Sequence, residues 1–475
     1  MQPYKKEVSL MMRSLFSGVS GLQNHQTRMD VIGNNIANVN TYGFKRNRVN
    51  FQDIFYQQLQ GAARPTEDVG GVNPKEVGLG MSVASIDTIH IQGALQATNV
   101  PTDLAIQGTG FFILDDKGSQ LFTRAGTFAL DENGTYVNPG NGMKVQGWMA
   151  QEINGVQFLD TSRALEDLII PVGSKDPARA TTLVNFACNL DKRTPEVPEG
   201  ASALQIREGT WSTQEKIYDS FGDVHILQVE FSRVPGQNNS WTARVSVDPQ
   251  NEAPTNASAA FGDVPPAAGG ADIFTINFSN QGTILNAIDG AGNESNAGQV
   301  LMNVAFDVQS ATPGDDGAVV RQNFQLNLGT VGGLVNSMTQ YAEKSSSKIV
   351  QQDGYSMGYM ENFKIDSSGI ITGIFSNNTT RVLGQVAMAS FPNQGGLEKA
   401  GDNNFKKTSN SGNANISPSG IAGKGIIKSG VLEMSNVDMA DQFTDMIITQ
   451  RGFQANSRTI QTADQLLQEL LSLKR

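Results

Sequence analysis

The residues of this chain that could do covalent or metal chemistry are few. The single cysteine, Cys188, lies in Thr-Thr-Leu-Val-Asn-Phe-Ala-Cys-Asn-Leu (181–190). Strand alternation there predicts Val184, Phe186, Cys188 and Leu190 on one face, with Leu183, Asn185, Ala187 and Asn189 on the other. A free thiol in such a run is usually a buried, inert one, and one cysteine excludes an intramolecular disulfide. The three histidines, His25, His90 and His225, are far apart and none sits in a metal-ligand motif. There is no phosphate loop and no G-x-S-x-G, and carboxylate pairs such as Asp115-Asp116 fall at turns. The expectation is a protein with no catalytic residue, metal or cofactor of its own.

The elements that would position anything functional are set by the two ends. From Leu15 the apolar positions Leu15, Leu22, Met29 and Ile36 recur every seven residues, with Gly18, His25 and Ile32 three places after the first three. Near the other end Met446, Phe453, Ile460 and Leu467 recur in the same way, with Thr449, Asn456, Ala463 and Leu470 between them. Both patterns are narrow helical seams of the coiled-coil kind, and Asn456 on such a seam lowers stability but fixes register. Asn, Gln, Ser and Thr flank both seams, which suits packing against further copies more than padding a globular core. Helices this weak are marginal alone in water, so both ends are expected to be disordered in the monomer and to fold on assembly.

Between the ends the chain reads as β-structure. Its 50 glycines and 17 prolines suit short strands with tight turns. Hairpins are expected over Phe122–Val137 around Asp131-Glu132-Asn133-Gly134, over 221–247, over 272–287 and over 363–391. The fold class is therefore mixed: N- and C-terminal helices paired as a coiled-coil-like core, and two β-rich outer domains, one inserted in the other. The expected boundaries are 11–60 with 422–475 for the helical core, 61–80 for a connector, 81–172 with 350–421 for a discontinuous β domain, and 173–349 for the insert. Residues 1–10, ahead of Met11-Met12, read as a start extension or vector remnant. The Pro- and Gly-rich 252–271 reads as surface loop.

The net charge is −11, and the acidic excess lies in the middle of the chain, which argues against nucleic-acid binding. No apolar run is long enough to span a membrane. The start lacks a cleavable signal peptide, so export would need another route.

The segment SLFSGVSGL…NNIANVNTYGFKR and the tail SNVDMADQFTDMIITQRGFQANSRTIQTADQLLQELLSLKR resemble the paired end motifs of the bacterial flagellar rod and hook axial proteins. Residues 111–148 and 355–421 resemble the family too. Length and the large central insert resemble the hook proteins within it. The resemblance implies a homopolymer of many copies, with the terminal helices lining a curved tube that acts as a universal joint between motor and filament. It implies as partners the distal rod, the hook cap, the hook–filament junction proteins and the flagellar type III export apparatus. It places Asn38, Thr41, Gly43, Phe44 and Lys45 at the exit from the first helix. There Gly43 marks a turn, since glycine takes positive φ at little cost.

In spirochaete hook proteins neighbouring subunits are joined by lysinoalanine, made from one Cys and one Lys. By that resemblance Cys188 and Lys175 are the crosslinking pair, with Asn189 a possible helper. The location implied is the hook, extracellular or periplasmic in a spirochaete. Two other readings are open: a distal rod protein with a large insert, and an adhesin or carbohydrate-binding module carried on polymerising ends. The second would want an exposed aromatic platform, for which only Trp148, Trp211 and Trp241 are present.

Overall fold

The computed structural model describes residues 2–65, 70–153, 156–198, 200–249, 257–261, 266, 271–295, 298–309 and 319–472. Among them are three α-helices: α1 (Gln2–Ala37), α2 (Ala203–Gly209) and α3 (Met439–Ser472). The rest is mainly short strands. Helices at both ends of a β-rich chain are the mixed architecture that the seams and turn signals imply. The side chains of residues 2–13 and of Leu470 lie outside the described residues, as does most of 252–271.

The chain divides into two compact units. The first comprises 1–172, 362–374 and 380–475. In it α1 and α3 pack side by side, and the strands Asn47–Asp53 and Met81–Thr88 pair antiparallel against α1. Residues 47–60, grouped in the sequence reading with the helical core, are largely strand. The connector is more ordered than its loop-like composition implies, since Lys75–Gly78 pairs with Tyr56–Gln60. The C-terminal segment returns to the N-terminal one: Ile426–Ser429 pairs with Leu104–Gln107, and Val431–Glu433 with Leu95–Ala97.

The body of this unit is a sheet around Phe111–Asp116, flanked by Ser119–Thr123 and Lys144–Met149. Phe111, Phe122, Phe391 and Phe405 fill its core, and the Phe122 and Phe391 rings meet edge to face at 4.8 Å. The hairpin around Asp131–Gly134 forms, but its arms are only Ala129–Leu130 and Tyr136–Val137. Phe122 belongs instead to the preceding hairpin. Lys117 (φ 51°) and Gly118 (φ 89°) supply two successive positive φ angles there, the signature of a type I′ turn.

The second unit comprises 173–361 and 375–379. Two sheets share one core. One runs Ser258–Phe261, Gln299–Gln309, Val319–Thr330, Leu183–Asp191 and Thr339–Tyr341, and the other carries Thr210–Tyr218, Val224–Arg233, Ser240–Val247, Ile273–Phe278 and Ile284–Asp289. Phe186 of one sheet stacks on Phe231 of the other at 6.0 Å, as in a β-sandwich. Trp241 is fully buried here, Trp211 packs against the same core, and Trp148 is buried in the first unit. None of the three tryptophans offers the open platform that the carbohydrate-binding reading wanted.

Candidate assembly and crosslinking sites

The two helices run antiparallel, so rising numbers on α1 meet falling numbers on α3. Arg28 pairs with Asp445 at 2.9 Å, and Asn35 Nδ2 donates to Gln442 Oε1 at 2.8 Å. Small residues let the backbones approach. A Cβ on Gly18 would stand 2.9 Å from Ile460 Cγ1, one on Gly21 2.5 Å from Asn456 Nδ2, and one on Gly452 2.8 Å from His25 Nε2.

The line on α1 that meets α3 is therefore Gly18, Gly21, His25, Arg28 and Asn35. Gly18 and His25 belong to the expected seam, whereas Gly21, Arg28 and Asn35 lie one step round from its positions Leu22, Met29 and Ile36, which like Leu15 are half-buried. Ile32 is buried. On α3 the side chains of Met446, Phe453, Asn456, Ile460 and Leu467 are half-buried, with Thr449 and Ala463 fully so. Phe16, Phe443, Ile447 and Ile448 stay exposed, which gives the pair an apolar surface that it does not itself cover.

The helix exit is built from local hydrogen bonds. Asn38 Nδ2 donates to Asn34 O at 2.9 Å, and Thr41 Oγ1 to Asn38 Oδ1 at 3.1 Å. Gly43 takes φ 70°, donates its N–H to Glu433 O, and lies so close to the next segment that a Cβ would stand 2.5 Å from Ala125 N. Phe44 is buried under Lys399, whose Nζ lies 5.1 Å from the ring centroid.

Lys45 is buried against Glu433 at 2.6 Å, and Arg124 Nε lies 3.1 Å from the other carboxylate oxygen. Burial presses Lys45 toward its neutral form and the nearby Arg124 adds to that, while Glu433 opposes both. His90 sits between the rings of Phe111 and Phe405, at 5.8 and 5.5 Å. Its pKa is pushed down to about 4 by burial first and then by Lys45, Arg124 and Lys399.

Sequence reasoning passed over Asn35, Gln442, Arg124 and Glu433. No local spacing marks them, because their partners are hundreds of residues away. The remaining histidines are packed rather than clustered: His25 lies against Phe51, and His225 Nδ1 contacts Asp248 Oδ2 at 2.6 Å.

Cys188 lies in the strand Leu183–Asp191, its side chain in the sandwich core with Val184, Phe186 and Leu190. Burial raises the thiol pKa far above its ordinary value, so the thiolate is disfavoured in this state. The strand Ser346–Gln352 runs antiparallel beside it, with Ser347 opposite Cys188. Asn189 holds the neighbouring chain: its Nδ2 donates to Glu343 O at 3.1 Å, and its Oδ1 accepts from Tyr341 N at 3.0 Å and from Thr339 Oγ1 at 3.2 Å. Lys175 is exposed, with Nζ 5.9 Å from the Tyr359 ring centroid. It pairs with the strand Gly358–Ile365 and so stands on a different sheet from Cys188.

The chain matches four families in series. These are "Flagella basal body rod protein" over 15–45, "Flagellar hook protein FlgE/F/G D1 domain" over 105–189, "Flagellar basal body protein FlaE D2 domain" over 189–355 and "Flagellar basal body rod FlgEFG protein C-terminal" over 428–473. It is 58% identical to the flagellar hook protein FlgE of Treponema pallidum, across 98% of this chain and all of that one. The chain belongs to the flagellar hook protein family. The FlgE of Borreliella burgdorferi is 52% identical over 98% of this chain, and that of Salmonella typhimurium 31% over 97%, each matched along its whole length. The Treponema and Borreliella proteins, each more than half identical to this chain, are spirochaete proteins. Family membership makes the chain a structural subunit that polymerises with itself in the flagellar hook, and not an enzyme.

Proposed function

We propose that copies of this chain stack into a curved tube, with the α1–α3 pairs inside and the β units outside, that carries motor torque to the filament as a bendable joint. The uncovered apolar surface of the helix pair, beside seam residues only half-buried within one chain, carries this reading. Copies side by side would bury that surface, at roughly 25 cal/mol per Å². The terminal helices gain full order on assembly. The chain leaves the cell through the flagellar type III apparatus, and meets the distal rod, the hook cap and the hook–filament junction proteins.

Cys188 of one copy and Lys175 of the next then join covalently. A base takes the Cys188 Cα proton and the sulfur leaves, giving dehydroalanine and H₂S. The neutral amine of Lys175 adds to the alkene carbon, and a proton returns to Cα. The product is lysinoalanine, one H₂S lighter than the two residues. An ordinary lysine is only about 0.04% neutral amine at pH 7. Holding Lys175 against the next subunit keeps the amine in reach. Because the thiol is buried in one chain, the edge strand Ser346–Gln352 must open first, which keeps the chemistry until subunits have met.

The test is to image the polymer by electron microscopy, then boil it in detergent with reductant and map the products by mass spectrometry. Curved tubes and a reductant-resistant ladder carrying a Cys188–Lys175 peptide, absent in Cys188→Ala, are expected. Straight tubes would overturn the bendable-joint reading. A single band at monomer mass would remove the crosslink alone.

A further inference from the structure

Four stretches far apart in the chain meet on one carboxylate. Glu433 ends the strand that leads toward α3 and is fully buried. Its Oε1 accepts from Lys45 Nζ at 2.6 Å, across 388 residues of chain, and from Gly93 N at 2.9 Å. Its Oε2 faces Arg124 Nε at 3.1 Å, and its carbonyl accepts from Gly43 N at 2.8 Å. Each cation is tied further: Lys45 Nζ donates to Ile91 O at 2.9 Å, and Arg124 donates to Gly110 O and Gly108 O at 2.8 Å each. The exit of α1, the segment around residues 91–93, the β body and the root of α3 are thus held by a single side chain.

Two buried cations against one carboxylate make a poor source of stability, because the desolvation of all three groups offsets their attraction. What such a cluster does supply is one geometry, since any other arrangement strands a charge in the core. Gly43 lies close to the β body beside this cluster, since a Cβ added there would stand 2.5 Å from Ala125 N.

We propose that Glu433 is a keystone that fixes the direction in which the α1–α3 pair leaves the β body, so that the pair works as a rigid lever and not as a hinged arm. The proposal rests on the reading of the tube as a torque carrier. It assigns the rigidity to this buried cluster, which lies beside Asn436, whose Oδ1 accepts from Arg46 N at 2.8 Å and whose Nδ2 donates to Ile89 O at 2.8 Å.

Two variants test it, both in a Cys188→Ala background so that tubes carry no covalent joints. Glu433→Gln leaves the shape and strands the two cations. Lys45→Met combined with Arg124→Met and Glu433→Leu replaces the cluster by apolar groups of similar volume, which buried ion clusters often tolerate without loss of stability. Hydrogen exchange is read on the soluble chain at residues 41–47 and 91–93, and twist per unit torque on single tubes held in magnetic tweezers. In both variants exchange should rise about tenfold or more at those residues, as for a locally loosened segment, and tubes of unchanged diameter should twist further under the same torque. If Glu433→Gln fails to fold, the triple variant decides. Unchanged exchange, or unchanged twist in the triple variant, would overturn the keystone. If the parent chain itself forms no tubes, the torque reading fails, and exchange alone still decides whether Glu433 couples the roots to the body.

Discussion

Asn35 and Gln442, 407 residues apart in the chain, share a buried hydrogen bond of 2.8 Å across the helix pair. Asn35 also exchanges two hydrogen bonds with the backbone of Asn47, at 2.9 and 3.0 Å. One amide thus sets the register of α3 against α1 and pins the first strand to both. Replacing Gln442 by Leu would leave a buried N–H without a partner, at a cost of about 1–3 kcal/mol. Assembled tubes of Gln442→Leu should come apart at lower urea than the parent. An unchanged midpoint would show that the register is set elsewhere.

Gly43→Ala tests the helix exit. A left-handed φ costs a non-glycine residue roughly 1–2 kcal/mol, and the added Cβ would also run into the Ala125 and Arg124 backbone. The loss of folding stability in urea should exceed 2 kcal/mol by this estimate of about 1–2 for φ plus overpacking of about 1–3. Gly142 shares the same φ of 70° but has open space around it, so Gly142→Ala should cost only the backbone part.

His90 gives the protein an acid-sensitive step. Above its ordinary pKa of 6.5 the ring is neutral in both folded and unfolded chains. As pH falls below 6.5 the unfolded chain takes up a proton that the folded chain refuses until about 4. Stability is therefore full above that window and falls through it, by about 1–3 kcal/mol once screening at the partly exposed ring is allowed for. His90→Gln should flatten unfolding free energy against pH between 6.5 and 4, and a profile identical to the parent would assign the acid step to other groups.

Cys188 should be slow to react. In the folded monomer an aromatic disulfide reagent should label it at least about two orders of magnitude more slowly than in urea, because access needs a local opening of several kcal/mol. Asn189→Ala removes three hydrogen bonds that hold the adjoining chain and should speed labelling while the fold persists. Equal rates for the two would show that Asn189 does not guard the thiol.

The periodic parts of this protein were legible in its sequence. Steps of seven marked helices at both ends, and alternation placed Phe186 and Cys188 together on the inner face of their strand, since both patterns depend only on neighbours a few residues away. Asn-Gly marked the 131–134 turn for the same reason, and the paired end motifs pointed to an axial protein. What only the tertiary structure decided was the contact line on α1, where Gly21, Arg28 and Asn35 replace the more apolar Leu22, Met29 and Ile36. The backbones come close where side chains are small, and apolar content alone does not show that. The cluster of Lys45, Arg124 and Glu433 was equally hidden, because a charge reads as surface in any local window. Its burial follows from strands at opposite ends of the chain returning to one another.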